Sequence, residues 1–186
     1  FTVIGFINKS IESWFGIEME GSLQASLEIA QGYYNDTSEK TMYFARQIGF
    51  KIAQEEYLTD EGLNTLRKYI DEKKDENNIG AVEVFFSSGE REIYSIASSL
   101  NPNIMPDVEK TVVMDVLKGK ETNFIQALDR GDVIRGIAPV YSPAYSGGVN
   151  NIIGAVAVSF YMPNHMTARI KDISTTFESY KQLKVL

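Results

Sequence analysis

The chain has 186 residues, 44% of them hydrophobic, and a formal net charge of −7. That suits one domain with a real core, or one domain plus a long helical extension, and it argues against nucleic acid, whose phosphates require clustered Lys and Arg. There is no cysteine and a single histidine, His165, so disulfides, thiolate metal sites and cysteine nucleophiles are excluded, and a zinc site or a Ser-His-Asp triad would rest on that histidine alone.

The chain begins with the apolar run Phe1-Thr-Val-Ile-Gly-Phe-Ile7. It is far shorter than the ~20 residues that cross a bilayer. It reads equally as the buried first turn of a helix or as the tail of a transmembrane helix. Phe15, Met19, Leu23, Leu27, Ala30 and Tyr34 then recur at intervals of three or four, which puts them on one helical face. Ile4, Ile7, Ile11 and Trp14 extend this stripe backwards. At Asn35–Glu39 the pattern pauses. Asp36 and Glu39 have capping-box spacing, which predicts either a second helix starting there or a kink in a long one. Ala45, Ile48 and Ile52 carry the period on to about Tyr57. A helical segment over 1–57 is too long for one small core, and is expected to project or to pack against a second copy.

Thr59-Asp-Glu-Gly62 opens a further helix with Leu63, Leu66 and Ile70 on its apolar face, and Asn77-Asn78 stops it. The acidic cluster Asp71–Glu76 is interrupted by Lys73 and Lys74 and lacks calcium-loop spacing, so it reads as a solvated helix end. From Gly80 the period becomes two. Ala81–Phe86 and Arg91–Ala97 read as a hairpin around Ser87-Ser-Gly-Glu90. Pro106-Asp107 opens a short helix with Val108, Val112, Val113, Val116 and Leu117 inward, ended by Gly119. Thr122–Leu128 is a third strand, Asp129-Arg-Gly-Asp132 a turn, and Val133–Tyr141 a fourth strand. The loop Ser142–Asn150 follows. Asn151–Met162 is the best strand of all. It is β-branched and aromatic, apolar on both alternating faces, interrupted only by Ser159, and stopped by Pro163. A strand covered on both faces is central in its sheet. Residues 164–186 read as a helix leaving the domain.

The predicted class is α+β: a long N-terminal helix, kinked or not, packed on a five-stranded antiparallel sheet, with a C-terminal exit helix. The domain plan is a helical segment over 1–57, a core over 58–163 and the exit helix over 164–186.

This order of elements resembles the extracytoplasmic Cache (PAS-like) sensor domain. The strand text that carries the likeness is Val84-Phe-Phe-Ser-Ser-Gly89, Val116-Leu-Lys-Gly119, Ile137-Ala-Pro-Val-Tyr141 and Ile152-Ile-Gly-Ala-Val156. The flanking segments Ile7–Phe15, Ser26–Gln31 and Phe177–Leu183 are similar to the sensor segment of NtrY-type nitrogen-regulation histidine kinases. The resemblance implies a place outside the cytoplasmic membrane of a bacterium, between two transmembrane helices, and a role in modulating a cytoplasmic histidine kinase. The long apolar stripe leads to the expectation of a homodimer through the long helix in the full-length receptor, and no cofactor is expected. A chemoreceptor is the nearest competitor. No histidine phosphorylation segment or glycine-rich ATP lid is in the chain, so this fragment is not expected to be an enzyme.

The candidate ligand residues are Arg135, Tyr94, Phe124, Gln126, Tyr141 and Tyr161. Arg135 lies mid-strand, on the face with Val133, Ile137 and Tyr141, where a guanidinium could fork onto a ligand carboxylate. An internal ion pair or an edge-strand arginine in water explains it more commonly. The aromatic residues and Gln126 could line a small-molecule pocket, although core packing is the ordinary role of each. Arg130-Gly131-Asp132 spells an adhesion tripeptide, but turn chemistry accounts for it. His165 reads as a surface residue at a helix start, and Ser87-Ser88-Gly89 has no base nearby. Two readings follow. In one, a solute binds on the sheet face and shifts the flanking helices. In the other, a ligand-free module dimerises or docks a partner protein through its long helix.

Overall fold

The computed structural model describes residues 21–143 and 151–164. Helix α1 spans Gly21–Gln54 and α2 spans Leu63–Glu76. Strands β1 (Ala81–Phe86) and β2 (Arg91–Ile96) come next, then α3 (Lys110–Leu117), β3 (Thr122–Leu128), β4 (Gly131–Tyr141) and β5 (Ile152–Pro163). The five strands form one antiparallel sheet in the order β2-β1-β5-β4-β3. The strand apolar on both faces, β5, is central as its composition requires, and its residues Ala155–Ser159 are fully buried. The expected exit helix lies outside the described residues apart from Asn164, as do the first twenty residues and most of the Ser142–Asn150 loop. No helix among the described residues is long and apolar enough to cross a membrane.

The helix α1 runs unbroken for 34 residues, straight through Asn35–Glu39. No second helix starts at Asp36. The buried series Leu27, Ala30, Tyr34, Thr37, Thr41, Ala45, Ile48 and Ile52 never loses its three-or-four spacing, so the helical face continues where the exposed residues turn polar. Thr37 turns its hydroxyl back to donate to the carbonyl of Tyr33 at 2.8 Å, which satisfies it inside the helix. The helix ends three residues earlier than the periodicity suggested. The Tyr57 amide donates to Ile52 O and the Glu56 amide to Ala53 O, with Glu56 at φ 53°. This is a Schellman-type stop.

The chain condenses into two compact units. The larger takes residues 39–123 and 135–160. Its core sets Ala45, Ile48 and Ile52 of α1 and Leu66 and Ile70 of α2 against Val82, Val84, Ile93, Ala138, Val140, Val156 and Val158 of the sheet. Gly136 permits the approach of α1. A Cβ there would collide with Thr41 Oγ1, so no side chain fits without a shift. The β1–β2 turn closes on Gly89 at φ 90°, a backbone conformation that favours glycine.

The other unit holds described residues 21–38, 124–134 and 161–164. Its polar tie is Tyr34, whose hydroxyl donates to Asp132 Oδ2 at 2.9 Å with both residues buried. The tripeptide Arg130-Gly131-Asp132 is therefore not displayed as a turn. Only Asp129 and Arg130 form the turn, and Gly131 and Asp132 open β4. The short helix also differs from expectation. It begins at Lys110, and residues 106–109 stay non-helical with Glu109 extended at ψ 137°. The reason is a competing partner for the Pro106 carbonyl, found in the site below.

Candidate ligand site

Strand residues alternate between faces. In the larger unit one face carries the valines that meet α1 and α2. The opposite face gathers Glu83 from β1, Arg91 and Tyr94 from β2, Arg135 from β4 and Ser159 from β5. Neighbour order explains the meeting, because β5 lies between β1 and β4 and its small side chains leave room for long ones on either side.

Arg135 is 1% exposed, the largest fully buried side chain among the described residues. Its Nε donates to Ser159 Oγ at 2.8 Å and its Nη2 to the Pro106 carbonyl at 2.9 Å. Glu83 is equally buried, and its Oε2 stands 3.9 Å from Arg135 Nη2. That is ion-pair range, too long for a hydrogen bond. Glu83 Oε1 instead accepts from Arg91 Nη1 at 2.8 Å, and the same nitrogen reaches Asp107 Oδ1 at 3.0 Å. The Arg91 guanidinium stacks 4.4 Å above the centre of the Tyr94 ring.

Two groups in this cluster are unsatisfied. Arg135 Nη1 and Glu83 Oε2 are buried without a hydrogen-bond partner. Leaving a charged group so costs more than the ~1–3 kcal/mol of a neutral one. Burial lowers the pKa of Arg135, opposed by the negative charge of Glu83. Burial also acts to lower that of Arg91, but the bonds and charges of Glu83 and Asp107 outweigh it and the net shift is upward. Tyr94 is raised, first by burial and then by Glu83. The cluster thus holds two guanidiniums against one buried carboxylate, with Asp107 exposed at the rim. One guanidinium nitrogen, with its two N–H groups, and one carboxylate oxygen are left without a hydrogen bond.

Of the sequence candidates, Arg135 and Tyr94 meet in this cluster. Tyr141 lies at the end of β4 and is exposed. Phe124, Gln126 and Tyr161 belong to the other compact unit. There Phe124 is buried, Gln126 is half-buried, and Tyr161 donates its hydroxyl to the carbonyl of Arg130 at 2.7 Å, closing the β3–β4 turn. Glu83, Arg91, Asp107 and Ser159 were not anticipated. Glu83 had a signal, being the one charge in the strand text Ala-Val-Glu-Val-Phe-Phe.

No protein-family model matches the chain, and no curated protein matches it. Solved structures do. The sensory domain of the Campylobacter jejuni chemoreceptor Tlp3 (CcmL) with isoleucine bound aligns at 17% identity and a TM-score of 0.53, over 91% of this chain and 66% of that one. The ligand-binding domain of the same receptor in complex with L-valine aligns at 18% identity and a TM-score of 0.51, again over 91% and 66%. The chain thus spans just under two thirds of those structures. At this identity the likeness establishes architecture: the chain has the α+β, Cache-like fold of these sensory domains.

Proposed function

We propose that the chain is the extracytoplasmic sensing domain of a bacterial membrane receptor, and that it binds a small solute bearing a carboxylate at Arg135. The observation that carries this is the buried Arg135 Nη1, unpartnered beside the unpartnered Glu83 Oε2. A carboxylate accepts from the remaining nitrogen of the guanidinium, Nη1, and an ammonium or hydroxyl of the same solute fits the free carboxylate oxygen. The likeness to domains solved with isoleucine and L-valine supports the same class of guest. The flanking segments that resemble NtrY-type kinases favour a histidine kinase as the output. The plan of helical segment 1–57, core 58–163 and exit helix 164–186 then supplies the levers on either side.

Thermal unfolding against amino acids, mono- and dicarboxylates, amines and nitrate tests the reading. A ligand at 100 times its dissociation constant adds about 2.7 kcal/mol, which is several degrees for a chain this size. Arg135→Lys keeps the charge and loses the fork, and is expected to abolish the shift. A flat panel, or a shift unchanged in Arg135→Lys, overturns the assignment.

One observation favours the second reading, a ligand-free module that dimerises through α1. Ile29, Tyr43 and Phe50 are spaced at multiples of seven on α1 and are 59–75% exposed. Sedimentation of wild type against Phe50→Glu reads that directly.

A further inference from the structure

A concavity lies in the larger unit, at the end of β1 away from Arg135. Arg135 bonds Ser159, which pairs with Ala81 at the start of the strand. The concavity begins at Phe86, five residues and roughly 16 Å further along at the usual rise of a strand. It measures about 700 Å³ and is lined by Ala53, Leu58, Phe86, Pro143 and Ile153 as apolar walls, with Glu56, Thr59, Ser87 and Ser142 as polar groups. Its size is that of a small-molecule site. Glu56 is the only charged side chain in the lining among the described residues.

The backbone at Glu56 sets this acid apart. Helices α1 and α2 end in the same way, with an amide bonded five residues back and a left-handed residue just before it. In α2 that residue is Asn78, at φ 53°, a residue type that tolerates this conformation. In α1 it is Glu56, also at φ 53°, where a long L side chain is disfavoured and glycine is the usual choice. The following turn is fixed by Thr59, whose hydroxyl accepts from the Gly62 amide at 3.0 Å and donates to Glu56 O at 3.4 Å. The fold therefore holds a carboxylate at a position that capping alone would give to glycine, and that carboxylate lines an open recess with both apolar and polar walls.

We propose that this recess is a second binding site, separate from Arg135, for an organic ammonium compound with an apolar body. The cation pairs with Glu56, the hydroxyl groups of Thr59 and Ser87 lie beside it, and the hydrocarbon part lies on Leu58, Phe86 and Ile153. A carboxylate is repelled by the same acid, so the recess disfavours the carboxylate-bearing guest proposed for Arg135.

The test is calorimetric titration with 2-phenylethylammonium and its uncharged counterpart 2-phenylethanol, on wild type, Glu56→Gln, Glu56→Gly and Arg135→Lys. Wild type is expected to bind the ammonium saturably at one site, and the alcohol about tenfold more weakly or worse. Glu56→Gln erases that preference. Glu56→Gly raises the unfolding midpoint by about 2–4 °C, since it relieves the left-handed strain, and yet loses the ammonium. Arg135→Lys leaves ammonium binding unchanged. Absence of saturation up to tens of millimolar, an unchanged affinity in Glu56→Gln, or loss of binding in Arg135→Lys overturns the proposal.

Discussion

Replacing Glu83 by glutamine keeps the shape of the side chain and removes its charge. Glu83 is 1% exposed and faces Arg91 at 2.8 Å and Arg135 at 3.9 Å. At an effective dielectric constant of about 20, unit charges at that longer distance attract by about 4 kcal/mol. Part of this is offset by desolvation, which wild type has already met. Breaking one side of a buried pair commonly costs ~3–5 kcal/mol, because the remaining charge stays buried alone. Arg135 retains its bonds to Ser159 and Pro106, so the expected loss for Glu83→Gln lies near ~3 kcal/mol. For a chain of this length that is roughly 6–12 °C in midpoint. The double replacement Glu83→Leu with Arg135→Met removes both charges. It is expected to fall within about 1 kcal/mol of wild type, or above it. Arg91 tolerates the change because it is part-exposed and keeps Asp107. Urea unfolding of wild type, Glu83→Leu, Arg135→Met and the double variant closes the cycle, with Glu83→Gln measured beside it. A Glu83→Gln loss below about 1 kcal/mol, or a double variant whose loss is the sum of the two singles, would refute the idea that these charges are held by one another.

Two other outcomes follow from the geometry. Tyr34→Phe removes the donor to buried Asp132 and should cost ~1–3 kcal/mol at neutral pH. The pKa of Tyr34 is raised, first by burial and then by the Asp132 charge. Its contribution is therefore complete below the ordinary tyrosine value of about 10 and falls away as pH rises above it. A pH series of unfolding free energies should show the wild-type advantage over Tyr34→Phe shrinking as pH rises above about 10, and an advantage that stays constant there would contradict it. Gly136→Ala drives a methyl into Thr41 Oγ1 and to 2.9 Å from Met42 Sδ. Overpacking of that kind should cost ~1–3 kcal/mol, read as a lowered urea midpoint at unchanged slope.

The strands were legible because their period is two and their ends carry turn residues. Ala81–Phe86 and Thr122–Leu128 fall where the alternation puts them. The central place of β5 was legible from its two apolar faces. The charged cluster was not, for a topological reason. Glu83 and Arg135 lie 52 positions apart, and only the insertion of β5 between β1 and β4 makes them neighbours. Alternation marks the face of a residue within its strand, and is silent on which strand stands beside it. The start of α3 escaped for a related reason. Local propensity offered Pro106 as a first helical residue, but its carbonyl is taken by an arginine 29 residues away. The pause at Asn35–Glu39 misled because exposed polar residues resemble a helix start when the buried face beneath them is not visible.

The bond from Arg135 to Pro106 ends on a backbone oxygen. Such a contact is blind to side-chain identity. Position 106 can therefore drift in sequence, or be exchanged by an engineer, while the arginine keeps its anchor, provided the carbonyl stays where it is. Ser159 has no such freedom, since the bond there runs through its own hydroxyl. Variation among relatives of this chain should thus be lopsided around a single guanidinium, with wide choice at position 106 and almost none at 159.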